Sequence, residues 1–152
     1  MTVAEVIIAL FVITVGLVGL MAAIPLSTSQ IGEAHLKTTA TFLAQQRVEQ
    51  IRNAQWTGSP AADTLGGSGS NGSSAVAEWP DESAVTNYSR FARTVRIVDC
   101  SVSPGCGMTT DSTLATLRQV TVTVRFARMT GIGTINSSTL ESVQLITFIA
   151  RQ

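Results

Sequence analysis

Charged residues, aromatic residues and histidine are all scarce in this chain, and each shortage argues against a class of function. Only 13% of the 152 residues are charged, and the formal net charge at pH 7 is zero. Aromatic residues make up 5%, with no closely spaced run near the N-terminus, which gives little support to long-range electron transport. The single histidine, His35, has no nucleophile at a recognisable spacing, and no glycine-rich phosphate loop follows a strand. We therefore expect no enzymatic activity and no cofactor.

Cysteine is limited to Cys100 and Cys106, which are separated by the sequence SVSPG. These two residues and the distant His35 do not make a tetrahedral metal set, so we expect no metal site. Pro104 and Gly105 suit the central positions of a type II turn, which would bring the two sulfurs together. We predict a disulfide that closes a short loop, stabilises the domain by about 2 kcal/mol and places it in an oxidising compartment.

A long apolar run is present instead, at residues 1–24, MTVAEVIIALFVITVGLVGLMAAI. As a helix it would be roughly 36 Å long, enough for a bilayer core of about 30 Å with some tilt. The run has neither a basic n-region nor a small-residue cleavage site, so we interpret it as a retained membrane helix.

Glu5 is the one ionisable side chain within this run. A carboxylate in hydrocarbon costs on the order of a few kcal/mol, so its presence predicts a partner. The nearest candidate is an α-amino group, either its own or that of a neighbouring chain.

Gly16, Gly19 and Pro25 are predicted weak points of the helix. Proline removes a backbone donor and glycine adds flexibility, so we expect a kink or partial unwinding over residues 16–25. Bundling with other helices would satisfy the freed backbone groups in a membrane. The alternative is that glycine and proline are simply commoner in membrane helices.

The helix is predicted to continue through residues 26–53, which are rich in helix-forming residues and carry two apolar stripes. One stripe comprises Ile31, Ala34, Thr38 and Phe42, and the opposite one comprises Leu36, Ala40, Leu43, Ala44 and Ile51. One stripe can pack on the chain's own domain and the other on a neighbour, or the helix can be enclosed within one domain. We expect the sheet to pack around Phe42.

The remainder divides into a connecting loop and a sheet domain. Residues 54–87 are predicted to form a Gly/Ser-rich loop, exposed over residues 57–77. Residues 88–152 are predicted to form an antiparallel meander with strands at 90–99, about nine residues from Arg118, and 142–150, and with room for a fourth short strand. The predicted fold class is α+β, a long N-terminal helix packed on a small antiparallel sheet.

Charge is distributed unevenly along the chain. Residues 1–87 carry three basic and seven acidic residues, a formal charge of −4, whereas residues 88–152 carry seven and three, a charge of +4. This asymmetry predicts either complementarity between copies or mixing over one folded surface. Six arginines crowd two predicted neighbouring strands and form a candidate patch for DNA or a partner, or else they are solvated sheet residues or form salt bridges between subunits. They are Arg90, Arg93, Arg96, Arg118, Arg125 and Arg128.

The chain combines T-V-A-E at residues 2–5, an apolar helix with a late proline, a polar helical extension, a Gly/Ser loop and a sheet. In this combination it resembles a mature type IV pilin or pseudopilin. The resemblance implies that a prepilin peptidase removes a leader and that Met1 is the processed, N-methylated residue, a variant of the commoner phenylalanine. It also implies that Glu5 is the family's buried glutamate. VRIVDC and RQVTVTVRF look more like the minor-pilin and pseudopilin branch, and the cysteines lie between strands, unlike the C-terminal disulfide loop of major pilins.

The resemblance implies a structural subunit of a pilus-like helical homopolymer, with Glu5 neutralising a neighbouring N-terminus. Before assembly the helix would hold the subunit in the bacterial inner membrane, and the assembly machinery would then move it into an extracellular filament for motility, adhesion or secretion. The alternatives are a minor pilin, a type II secretion pseudopilin, or a monomeric membrane-anchored module that binds DNA through its arginines.

Overall fold

The computed structural model describes residues 2–54, 65, 75–100, 106, 117–129 and 135–150. Within these residues the chain forms one helix, α1 (Val3–Arg52), and three strands, β1 (Phe91–Asp99), β2 (Leu117–Met129) and β3 (Ile135–Ala150). This arrangement confirms the predicted α+β fold class. Met1, the predicted processed residue, lies outside the described residues.

Helix α1 is continuous over 50 residues. Thr2 precedes it in an extended conformation, and the first intrahelical bonds run from the Glu5 and Val6 amides to the Thr2 carbonyl. The helix is continuous through Gly16, Gly19 and Pro25 in this single chain, and the kink predicted there stays a prediction.

The three strands form an antiparallel sheet in the order β1-β2-β3, as predicted for a meander. Val95 is paired with Val122, which is paired in turn with Leu145, so these residues share the sheet face that is covered by α1. Strand β3 begins seven residues before the predicted start at Ser142. The polar sequence INSSTLE lacks apolar alternation, and its pairing with β2 passes through a register shift at Ala127/Arg128.

The hydrophobic core lies between the second half of α1 and the sheet. The buried helix stripe is the one that contains Leu36, Leu43 and Ile51. Phe42, around which the sheet was expected to pack, is instead 56% exposed. The prediction was wrong because Phe42 lies on the opposite side of the helix from Leu36, and only one of the two stripes can face the sheet.

The connection between α1 and β1 contributes to the core at its described residues, which corrects the prediction of an exposed loop there. The rest of residues 57–77 lies outside the described residues. Leu65, Val76 and Val85 are buried in the same cluster as the helix and sheet residues. Backbone bridges join Val76 to Trp79 and Glu82 to Arg93, so the chain before β1 lies along the edge of that strand. A few apolar residues within this polar segment are therefore sufficient to hold it against the hydrophobic core.

The predicted disulfide between Cys100 and Cys106 is confirmed, with a Cα–Cα distance of 4.8 Å. Cys100 directly follows β1 and is buried, and its amide donates to the Leu117 carbonyl at 3.1 Å. The crosslink therefore fixes the point at which the chain leaves β1 for β2.

Candidate assembly interface

The first half of α1 is not covered by any other part of the chain that the structure describes. All described side chains from Thr2 to Ile24 are exposed, and the helix is long and apolar enough to cross a membrane. An exposed apolar surface of this extent marks contact with lipid or with other protein.

Glu5 lies within this apolar surface. Among the described residues its carboxylate accepts one hydrogen bond, from the Thr2 amide at 3.3 Å. A carboxylate in the first turn is also favoured by the partial positive charge of the helix N-terminus. These backbone contacts compensate the carboxylate only in part, so transfer into a nonpolar environment would leave it in need of a cation.

The second half of α1 presents a further exposed stripe, opposite the sheet. Ile31 is 69% exposed, Phe42 is 56% exposed, and Ala34 and Thr38 between them are exposed as well. This stripe continues the apolar surface of residues 2–24 onto the part of the helix that carries the globular domain. The open surface therefore extends along most of α1.

An ion-paired cluster fixes α1 to the sheet domain, and it consists of Arg47, Glu82 and Arg93. The Glu82 carboxylate accepts from Arg93 Nη2 at 2.8 Å and Nε at 3.1 Å, and also from Arg47. Arg93 Nη1 donates to the Leu43 carbonyl of α1 at 3.2 Å. The cluster thus joins the helix, the segment before β1 and β1 itself.

The two guanidinium groups of this cluster lie close together and are partly buried, and burial lowers the pKa of each. Burial and the nearby charge of Arg93 lower the pKa of Arg47 to about 10. Burial also lowers the pKa of Arg93. Both groups remain charged at neutral pH, so the cluster carries a net positive charge that the Trp79 ring, 5.2 Å from the Arg47 guanidinium, helps to stabilise.

A second, more exposed network lies where the helix enters the domain. Glu33 and Lys37 pair at 2.7 Å, Lys37 and Glu141 at 3.3 Å, and Arg128 pairs with both carboxylates at 3.3 Å. The Lys37 hydrogen bond is the main cause that lowers the pKa of Glu33, and the Glu33 hydrogen bond raises the pKa of Lys37. The network connects α1 to β2 and β3.

The six predicted patch arginines do not share one surface. Arg93, Arg118 and Arg128 occupy the strand positions of the face toward α1, whereas Arg96 and Arg125 occupy the opposite face. Arg96 is bound bidentately by Asp81, at 2.6 and 2.8 Å, which lowers the pKa of that carboxyl. Arg118 donates to the Leu65 carbonyl.

Arg90 and Arg125 are exposed. Neither forms an ion pair within the part of the chain that the structure describes. Ion pairing and hydrogen bonding within the chain therefore account for four of the six arginines, and the remaining two do not form an extended phosphate-binding surface.

His35 is exposed on α1. No group of three histidine, cysteine, aspartate or glutamate side chains that could hold a metal ion occurs among the described residues.

Sequence reasoning missed the Arg47–Glu82–Arg93 cluster. Glu82 is 35 residues from Arg47 and 11 residues from Arg93, so no helical or strand periodicity relates the three. The one available signal in the sequence was Arg93 itself, which lies on the inward face of β1 between the apolar Phe91 and Val95. A charged residue at such a position predicts a buried counterion.

Comparison of the chain with protein-family models, curated proteins and solved structures gave no match.

Proposed function

We propose that this protein is a structural subunit of a type IV pilus-like filament. Helix α1 anchors the subunit in the bacterial inner membrane before assembly and forms the filament core afterwards. In this proposal a prepilin peptidase processes the N-terminus, Met1 becomes methylated, and inner-membrane assembly machinery extracts the subunit into an extracellular helical homopolymer.

The observation that carries the proposal is the division of α1 into two parts with different partners. Residues 2–24 are exposed and apolar, whereas Leu36, Leu43 and Ile51 attach the second half to the sheet. A helix built only to anchor a monomer gains nothing from the additional exposed stripe that includes Ile31 and Phe42. In a bundle of like helices, that stripe and the membrane segment are covered together.

Glu5 gives the bundle its register. Moving the helix from lipid into a protein core retains apolar burial, but it leaves a carboxylate at a fixed depth that is costly without a cation. The positively charged N-terminus of an adjacent subunit supplies that cation at one axial offset only. Electrostatic attraction is stronger in the low dielectric of such a core than in water.

Within this proposal the chain is either a major subunit, a minor pilin or a secretion pseudopilin, and motility, adhesion and secretion are the functions to be distinguished. The arrangement of the arginines gives no support to the alternative of a DNA-binding module, because Arg93, Arg96 and Arg128 are engaged by carboxylates of the same chain.

Substitution of Glu5 tests the proposal directly. We expect Glu5→Ala to insert into membranes normally, because removing a charge makes the helix more apolar. The amount of this variant in sheared surface filaments should fall at least about tenfold, which corresponds to a difference of about 1.4 kcal/mol per subunit contact. The measurement is an immunoblot of membrane and sheared fractions from cells that contain the native assembly machinery.

The matched control is Glu78→Ala, which removes an exposed carboxylate from the globular part. It should leave both fractions unchanged, and mass spectrometry of the filament fraction should find N-methylated Met1. Normal filament yield from Glu5→Ala would contradict the proposed pairing. An unmodified initiator methionine together with an empty sheared fraction would contradict the filament role itself.

A further inference from the structure

The uncharged part of α1 is longer than its apolar run. No charged side chain occurs between Glu5 and Glu33, and this stretch of helix measures about 40 Å at 1.5 Å per residue. A bilayer with its headgroup layers is about 40–45 Å thick. Because charged side chains avoid hydrocarbon, a helix that places Glu5 at one membrane surface places Glu33 at the other. The end of the globular domain that contacts Glu33 through Arg128 therefore faces the headgroups.

A pocket of about 290 Å³ opens at this end of the domain, between α1 and the start of β1. Its floor is formed by Leu36 and Phe91, which are buried. Its rim includes the exposed side chains of His35, Tyr88 and Arg90. An apolar floor with a few polar groups around it is typical of ligand sites, and the volume lies at the small end of their range. The pocket therefore suits a compact polar group that is attached to an apolar one.

The turn that carries Tyr88 and Arg90 is held by three backbone hydrogen bonds. The Val85 amide donates to the Phe91 carbonyl at 2.8 Å, the Tyr88 amide to the Val85 carbonyl at 2.8 Å, and the Phe91 amide to the Tyr88 carbonyl at 2.9 Å. Asn87 supplies the left-handed backbone conformation within this turn, with a φ of 67°. The Tyr88 ring stands edge-on to that of Phe91, with 6.3 Å between their centroids. Both rim side chains are thus presented from a fixed backbone.

Arg90 determines the sign of the charge at the pocket. The neighbouring network of Glu33, Lys37, Arg128 and Glu141 has two groups of each sign and is neutral overall. Arg90 itself is exposed and forms no ion pair within the part of the chain that the structure describes. Arginine binds phosphate oxygens through two parallel hydrogen bonds, and tyrosine is enriched at membrane–water interfaces. This combination matches the headgroup of an anionic phospholipid.

The connection between β2 and β3, which lies at this end of the domain, contains no acidic residue that could neutralise Arg90. Its sequence over residues 130–134 is TGIGT. The acidic residues outside the described part of the chain are Asp63 and Asp111. The described residues that flank them lie at the opposite end of the sheet, where α1 and β1 end and β2 begins. We therefore expect the counterion of Arg90 to come from outside the chain.

We propose that this pocket binds the headgroup of an anionic phospholipid from the membrane that holds α1. The Arg90 guanidinium donates to the phosphate, and the Tyr88 hydroxyl and the His35 ring lie beside it as further hydrogen-bonding groups. The inference rests on the membrane stage of the proposed function and not on filament formation. It gives the pocket a role before assembly, when the bound lipid holds the domain against the membrane surface, and the contact ends when α1 leaves the bilayer.

Native mass spectrometry of the full chain in detergent, titrated with single lipids, tests the proposal. We expect phosphatidylglycerol to be retained at least about fivefold more strongly than phosphatidylcholine, which is the effect of one arginine beside an anionic lipid surface. In nanodiscs, hydrogen exchange of the exposed residues 86–90 should be slower with phosphatidylglycerol than with phosphatidylcholine alone. The second measurement assigns the preference to the turn that carries Tyr88 and Arg90.

Two arginine variants localise the site. Arg90→Gln should remove the preference for phosphatidylglycerol and the slower exchange of residues 86–90. The matched control is Arg125→Gln, because Arg125 is also exposed and without an ion pair among the described residues but lies on the sheet face turned away from α1. It should keep the lipid preference within about twofold, since surface charge interactions are screened beyond about 8 Å at physiological salt. Unchanged thermal unfolding temperatures exclude misfolding as the cause of any loss.

Equal retention of the two lipids, or an Arg90→Gln chain that keeps the preference, would overturn the lipid site. Displacement of the lipid by a large molar excess of inorganic phosphate would overturn it in favour of a free anion. Slower exchange of residues 86–90 that requires two chains in one nanodisc and no phosphatidylglycerol would overturn it in favour of a second copy. A chain that inserts normally without a lipid preference contradicts this inference alone, whereas a chain that fails to insert contradicts the proposed function as well.

Discussion

At the scale of single residues, the Arg47–Glu82–Arg93 cluster is the polar feature on which the helix-to-sheet attachment depends most. Arg93 is only 6% exposed, and Glu82 is its sole carboxylate among the described residues. A buried guanidinium that loses its counterion suffers the full desolvation cost, which is far larger than the net gain from an exposed ion pair.

Two adjacent carboxylates test this difference. We expect Glu82→Gln to reduce the free energy of unfolding by about 3 kcal/mol, because it leaves two partly buried arginines without a counterion. Asp81→Asn removes the more exposed pair with Arg96 and should cost only about 0.5 kcal/mol. Chemical denaturation of the full chain in detergent gives both values, and equal costs would contradict a special role for Glu82.

At the scale of elements, α1 has two faces that sequence periodicity identified but could not assign. The two apolar stripes were predicted correctly, yet the identity of the covered stripe was predicted wrongly. The exposed stripe is as apolar as the buried one, as Ile31 and Phe42 show. Hydrophobicity alone therefore does not determine which stripe contacts the sheet. The small Ala40 and Ala44 on the buried stripe allow close approach of the strands, and this was the available but unused signal.

Neighbouring helix positions give the corresponding prediction. Leu43→Ala removes a fully buried side chain and should lower the free energy of unfolding by about 3 kcal/mol. Phe42→Ala removes a larger side chain from the exposed stripe and should change it by less than about 0.5 kcal/mol. Thermal and chemical unfolding monitored by circular dichroism distinguish the two, and the reverse order of effects would contradict the observed orientation of α1.

The strands also show that local sequence pattern identifies an element better than it identifies the distant partners of that element. Alternating valines located β2 to within a few residues, and its neighbours were found in the correct order. The first seven residues of β3 and the buried Leu65 escaped prediction, because a polar strand end and an isolated leucine gain their structure from distant partners and not from local pattern.

At the scale of the whole molecule, the opposite charges of the two sequence halves are largely used within one chain. Glu82 with Arg93, Asp81 with Arg96 and Glu33 with Arg128 each join an acidic residue of the first half to an arginine of the second. Folding therefore accounts for much of the asymmetry seen in the sequence. The long-range pairs that do so could not be assigned from the sequence, because each of these acidic residues has several arginines as candidate partners.

These pairs predict how stability depends on pH. The pKa values of Glu33 and Asp81 are lower in the folded chain than their usual values of 4.5 and 3.8, so their contributions are present above those values and are lost as pH falls through the folded pKa. We expect the unfolding temperature of the full chain in detergent to be level between about pH 6 and pH 8 and to decrease below about pH 4.

The comparison variant for this prediction is Glu33→Gln with Asp81→Asn. Because it lacks both carboxylates, its unfolding temperature should start lower at neutral pH and decrease less on acidification. An identical acid response in both proteins would assign the loss to other groups.

The continuity of α1 has a mechanical consequence. A helix of 50 residues is a rod about 75 Å long, and its last turns lie flat along β2 and β3. Tension applied at the apolar end acts along the rod axis, so the contacts of Leu36, Leu43 and Ile51 bear the load in shear, all at once. The bond from Arg93 to the Leu43 carbonyl crosses this shear plane and opposes sliding of the rod.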